Sequence, residues 1–255
     1  FYTTGFSSVD GVALVTENGL WFFTDSRYTE AAEMAVKGGT VVEVGGDNPY
    51  GKAVKKIVNE NMIESLGFEE AVMNVADYLV WNDRLDLTMI PMQKLFTQLR
   101  TSKSREELEA MIKAQRLAEK VFNEILPIIS TDMTEKELAA EMIYRFLKNG
   151  AEDVSFPPIV VSGPRSSMPH GVPTDHKIEK GFLTMDFGVK LNGWCSDTTR
   201  TVCIGKPTDE MRRAYNTVLE AQLIGIERAR AGVTGKEVDM AARDHIHSAG
   251  YGGRF

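Results

Sequence analysis

The stretch MDFGVKLNGWCSD, Met185 to Asp197, places an aspartate inside each arm of a tight β-hairpin. Lys190-Leu191-Asn192-Gly193 supplies the turn, because Asn-Gly is a strong short-range hairpin signal. Phe182, Leu183, Thr184 and Met185 lead into Asp186, and Asp197 leads into Thr198, Thr199, Arg200, Thr201 and Val202. Aspartate is depleted in strands, so two of them call for a reason. Their separation in sequence is odd. In a hairpin closed by an even-numbered loop, opposed residues have odd separations and side chains alternate faces. Asp186 and Asp197 are therefore expected on one face, opposed or diagonal. Like charges so placed destabilise a sheet, and a shared proton, a cationic side chain or a metal ion would offset the repulsion. The plainer alternative points both carboxylates to solvent beside Lys190 or Arg200.

Upstream of the hairpin, PPIVVSG reads as a buried strand from its β-branched run. It feeds SSMPHGVPTD, a loop punctuated by proline and glycine that holds His170. Loops carried on a rigid strand are usual places for functional residues, and a histidine near paired carboxylates can shuttle protons. A lone loop histidine is more often a surface residue. His176 has no comparable setting, and His245 and His247 are two apart on a helix, so they do not share a face.

Outward from there the chain falls into two regions, 1–100 and 101–255. In the first, GVALVTENGLWFFTD gives two strands around Asn18-Gly19. SRYTEAAEMAV is helical and TVVEV is a strand. Tyr50 to Leu66 has the pattern of an amphipathic helix ending at Gly67, and EAVMNV reads as a further strand. That order predicts an α/β layer domain. In the second region Ser104 and Glu107 form a capping box for a helix that ends near Pro127. Thr134 and Glu137 cap a second helix running to Gly150, and strand-rich sequence follows to Ile204. The plan then restarts. Thr208 opens a long helix to Gly232, and Thr234 with Glu237 caps a shorter one to Gly250. Two such helix pairs suggest a weak internal duplication in which the second pair lacks its strands.

Bulk properties narrow the function classes. With 255 residues, 43% hydrophobic and 25% charged, the chain has the composition of a globular protein of one or two domains. A net charge of −7 speaks against a nucleic-acid partner, which usually meets a basic patch. No apolar run reaches the ~20 residues that span a bilayer, so no membrane partner is expected. Cys195 and Cys203, placed on one strand, would stand roughly 26 Å apart at ~3.3 Å per residue, beyond disulfide reach. A reducing, cytoplasmic setting is the economical reading.

MPHGVPTDHKIEKGFLTMDFGVKLNGWCSDTTRTVCIG resembles the first half of the active-site region of the pita-bread metallopeptidases. That family includes Xaa-Pro aminopeptidases, prolidases, methionine aminopeptidases and creatinases. FYTTGFSSVDGVALVTENGLWFFTDSRYTEAA is similar to the N-terminal domain of the Xaa-Pro branch. The resemblance implies an α/β N-terminal domain of the creatinase type over 1–100, then an α+β pita-bread catalytic domain over 101–255. It implies two divalent metal ions, with Asp186 and Asp197 as two of five ligands and His170 as a catalytic residue on the substrate side. Carboxylate ligation suits Mn²⁺, with Co²⁺ or Zn²⁺ as alternatives. The implied substrate is a peptide with proline at its second position, cleaved before the proline by metal-activated water, and the implied assembly is a homodimer. The family's remaining histidine and two glutamate ligands have no counterpart before Phe255. The chain is thus expected to be a truncated piece, inactive by itself. A creatinase-type amidinohydrolase and a metal-free peptidase-like binding module are the alternative functions.

Overall fold

The computed structural model describes residues 2–6 and 10–254 and divides into two compact units, the first up to Ile112 and the second from Lys113. The first unit is built on β1 (Val12–Thr16), β2 (Gly19–Asp25) and β3 (Thr40–Val44), with β2 central, antiparallel to β1 and parallel to β3. The parallel pairing requires a crossover, which α1 (Thr29–Ala35) supplies. Next, α2 (Tyr50–Glu60) buries Ala53, Val54 and Val58 with Leu14, Phe23 and Val44 in one apolar core. A second parallel pair, β4 (Ser65–Phe68) and β5 (Thr88–Pro91), flanks α3 (Val75–Leu85), and α4 (Gln93–Thr101) follows.

Two expectations for this unit are corrected. The helix from Tyr50 ends at Glu60, because Met62 turns left-handed (φ 53°) while Ile63 N–H donates to Val58 O at 3.0 Å. Ser65 to Phe68 then pairs with β5, a tertiary contact that local periodicity does not encode. EAVMNV is a turn and a cap: Val72 N–H bonds Glu69 O, and Asn74 accepts from Asp77 N–H to start α3.

Next, α5 (Arg105–Ile125), whose residues from Lys113 onward belong to the second unit, and α6 (Glu135–Lys148) carry the predicted capping boxes, Ser104 with Glu107 and Thr134 with Glu137. The strands β6 (Asp153–Val154), β7 (Ile159–Ser162), β8 (Gly181–Phe187), β9 (Val189–Leu191), β10 (Trp194–Cys195) and β11 (Thr198–Ile204) form two antiparallel sheets. Their orders are β11-β8-β7 and β10-β9-β6. Along β8, Leu183, Met185 and Phe187 alternate with Thr184 and Asp186. The first set is fully buried with Val160 of β7, Ala118 and Val121 of α5, and Met142 and Phe146 of α6. Phe187 stacks between Phe122 and Phe146, with centroids 5.6 and 6.0 Å away. One face of the sheet is thereby closed by helices, and Asp186 is left on the other.

The chain continues into α7 (Asp209–Arg228), capped by Thr208, and α8 (Gly235–Ile246), capped by the box of Thr234 and Glu237. They meet through small residues, an added Cβ at Gly225 lying 3.8 Å from that of Ala242. The first of these helices ends at Arg228 rather than at Gly232, which instead turns the chain with φ 85°. Both cysteines are free thiols, on β10 and β11. Among the described residues no helix is long and apolar enough to cross a membrane.

Candidate metal and substrate site

The hairpin turn is the two-residue Asn192-Gly193, with φ 50° and 75°, between Leu191 and Trp194. Both residues need positive φ in the tight hairpin turn that suits strand twist, which is why Asn-Gly is favoured there. Lys190, assigned to the turn on sequence grounds, instead sits in β9 opposite Cys195. One register runs through both pairs of arms, Trp194 opposite Leu191 and Thr198 opposite Phe187. It sets Thr199 opposite Asp186 and places Asp197 across from Gly188, two residues along from Asp186. The two aspartates are therefore diagonal neighbours on one face, at the ~7–8 Å Cα spacing of such positions. Burial agrees with this: Ser196 and Thr198 are buried on either side of the exposed Asp197, and Met185 and Phe187 on either side of the half-buried Asp186.

Between the aspartates the ladder is pinched. Ser196 N–H donates to Val189 O at 2.9 Å, but Val189 N–H donates to the Ser196 hydroxyl at 3.0 Å instead of its carbonyl. The Ser196 carbonyl accepts from the Ser155 hydroxyl at 2.7 Å. Gly188 makes this approach feasible, since a Cβ there would lie 1.9 Å from that carbonyl oxygen. Just beyond, Gln115 of α5 donates to the Thr198 hydroxyl at 2.8 Å, which ties the strand next to Asp197 to the core helix.

Oδ1 of Asp186 is buried and has no hydrogen-bond partner among the described residues. A buried acceptor left unpaired is costly, and most such groups find a partner. An orphaned carboxylate oxygen beside a second carboxylate is the donor set of a hard or borderline divalent cation. The residues present fit such an ion. Among the described residues no group of three or more His, Cys, Asp and Glu side chains is arranged to hold a metal.

His170 is exposed in the loop after β7. The pleat brings that loop to the aspartates' face. Ile159 pairs with Asp186 and Val161 with Thr184, so Val161 stands on the same face as Asp186. An added Cβ at Gly171 would lie 2.6 Å from Val161 Cγ1. The backbone immediately after His170 thus rests on the sheet face that carries both aspartates.

Sequence reasoning missed the group that anchors this loop. Glu135 is fully buried, and its carboxylate accepts from Ser162 N–H at 2.9 Å, from Thr174 N–H at 3.2 Å and from the Thr174 hydroxyl at 2.9 Å. Arg165 Nε reaches both oxygens, at 3.3 and 3.2 Å. Burial alone would raise its pKa, but these hydrogen bonds and the Arg165 charge outweigh that and hold it below the ordinary carboxylate value. In sequence Glu135 looks like one more acidic residue in the first turn of a capped helix, and nothing local marks it.

With this geometry in view, two family patterns match. That of metallopeptidase family M24 covers residues 109–255, and that of the creatinase/prolidase N-terminal domain covers residues 1–102. An uncharacterized peptidase of Bacillus subtilis, YqhT, is 38% identical over 256 residues, covering 100% of this chain and 72% of that protein. An Xaa-Pro dipeptidase of Pyrococcus furiosus is 42% identical over 158 residues, 62% of this chain and 45% of that protein. Among solved structures, an X-Pro aminopeptidase from Thermotoga maritima superposes with a TM-score of 0.93 at 38% identity, covering 99% of this chain and 72% of that one.

Proposed function

This chain belongs to metallopeptidase family M24, and from that premise we propose that it serves hydrolysis of the peptide bond before a proline, with Asp186 and Asp197 as metal ligands. The observation that carries the reading is the buried, unpartnered Oδ1 of Asp186 on the same sheet face as Asp197. Relatives named Xaa-Pro dipeptidase and X-Pro aminopeptidase support the substrate class. A divalent metal pair bound there would supply Lewis-acid polarisation of the scissile carbonyl and a water acidified to near-neutral pKa.

The chain's own residues contribute placement and charge. Asp186 and Asp197 present two carboxylates whose mutual repulsion a cation removes. The pinch at Gly188 holds the arms in one register, so the backbone that carries the two carboxylates is already fixed when the ion binds. His170, carried over that face by the loop, meets the substrate and donates a hydrogen bond to the oxygen on which charge develops. Oxygen ligation favours Mn²⁺, with Co²⁺ and Zn²⁺ as alternatives. Free Cys195 and Cys203 support a cytoplasmic setting. A homodimer is the proposed assembly, which analytical ultracentrifugation decides.

The test compares Asp186→Asn and Asp197→Asn with the parent, each expressed from its complete reading frame. Elemental analysis should show metal lost from both variants, and Xaa-Pro peptide cleavage should disappear while the circular dichroism spectrum is kept. Full metal stoichiometry in both variants would remove the aspartates from the site.

A further inference from the structure

Glu135 raises a question that the metal ligands do not answer. A carboxylate removed from water is costly unless hydrogen bonds satisfy it, and glutamate is almost never fully buried unless paired. Yet among the described residues every hydrogen-bond partner of the Glu135 carboxylate belongs to the segment that carries His170 or to that segment's two ends. Ser162 is the last residue of β7, Arg165 lies in the first turn after it, and Thr174 closes the loop. The helix start adds two more ties to the exit arm: Glu135 N–H donates to His176 O at 3.0 Å and Lys136 N–H to Thr174 O at 3.1 Å. These are orphan donors of a helix N-terminus, here satisfied by loop carbonyls.

Arg165 extends the link inward. Its Nε faces Glu135, while Nη2 donates to Val172 O at 2.8 Å. Val172 is two residues after His170, and Gly171 between them rests on Val161. His170 is thus followed directly by one residue seated on the sheet and one held by a guanidinium that the buried carboxylate orients. A planar fork with fixed donor directions can span two acceptors in this way, and an ammonium cannot.

We propose that Glu135 is a positioning residue of this site: acting through Arg165 and Thr174, it fixes the loop that presents His170 to the substrate. The proposal rests on the reading of His170 as a substrate-side group. Losing a charge that served folding alone would lower stability and leave turnover of the folded protein intact, whereas losing one that sets the aim of a loop is felt in turnover.

The experiment uses Glu135→Gln, Arg165→Lys and His170→Ala in the metal-loaded protein from its complete reading frame. Readouts are kcat and KM on an Xaa-Pro peptide, metal content, and, with diamagnetic Zn²⁺ bound, the imidazole NMR signals of His170, His176, His245 and His247. In Glu135→Gln, kcat should fall roughly 10- to 100-fold, as for an ångström-scale misplacement. KM should stay within about threefold on the same argument, with metal content unchanged. The His170 signal should move while those of His245 and His247 stay. Arg165→Lys keeps the charge but loses the reach to Val172, so it should resemble Glu135→Gln and not the parent. A folded Glu135→Gln or Arg165→Lys protein with parental kcat and an unmoved His170 signal overturns the proposal. Loss of the fold in both would place the network in stability alone and overturn it as well. His170→Ala separates the two readings. Parental turnover there removes the substrate-side role and the positioning claim with it; impaired turnover beside an unimpaired Glu135→Gln removes the positioning claim alone.

Discussion

A Cβ added to Gly188 would lie 1.9 Å from the Ser196 carbonyl oxygen and 2.9 Å from the Ser155 hydroxyl. The nearer obstacle is backbone, so Gly188→Ala must part the backbones between Asp186 and Asp197. Overpacking of this kind typically costs about 1–3 kcal/mol. The freed Ser196 carbonyl would also lose its bond from Ser155, since Ser155 is itself held by a 3.0 Å bond from its N–H to Gly188 O. We expect Gly188→Ala to lose stability in that range by urea titration. Metal affinity should drop at least about tenfold, because an ångström of displacement between the two proposed ligands is more than a preorganised site tolerates. A variant that is destabilised yet binds metal as tightly as the parent would show that the pinch serves the fold and not the site.

Elements in this protein were legible where their signals are local. The capping boxes at Thr134 and Thr234, the Asn192-Gly193 turn and the β-branched run of β7 each announce themselves within four residues. So did the shared face of Asp186 and Asp197, since strand parity is arithmetic. What stayed hidden depends on contacts between distant segments. The pairing of β4 with β5 overrode a helical pattern, and the bonds from Ser162 and Thr174 to Glu135 join residues 27 and 39 positions apart. The buried carboxylate at the start of α6 has a consequence for acid stability. Its folded pKa lies below the ordinary glutamate value that the unfolded chain has. Its stabilisation is therefore complete above the unfolded value and is lost as pH falls through the folded one. Between about pH 5 and the folded pKa, the parent should lose stability faster on acidification than Glu135→Gln, which has no proton to take up there. Thermal melts of the two proteins at half-unit pH steps read this directly. Parallel slopes would mean that other carboxylates govern the acid limb.

At the scale of the whole molecule, membership of M24 and the pita-bread architecture of its relatives make metal binding and folding linked quantities. An ion that binds only the native state stabilises it by RT ln(1 + [L]/Kd), about 2.7 kcal/mol at a hundredfold excess over Kd. The same pair of carboxylates works in the opposite direction without the ion, because neighbouring like charges in a sheet destabilise it by up to about 1 kcal/mol. Asp197 is exposed, so screening by salt reduces this repulsion, and it is largest at low ionic strength. Asp197→Asn removes one charge while keeping the shape of the side chain. After chelation at low salt, then, this variant should be as stable as the parent or more so, by a few tenths of a kcal/mol up to about 1. On addition of saturating Mn²⁺ the order should reverse, since only the parent has the linked gain of about 2.7 kcal/mol. Chemical denaturation of both proteins, with chelator and with Mn²⁺, gives the four numbers required. A reversal of order assigns Asp197 to the ion. If Asp197→Asn is the less stable protein under both conditions by the same margin, the carboxylate is a structural residue of the hairpin, and the metal reading loses one of its two ligands.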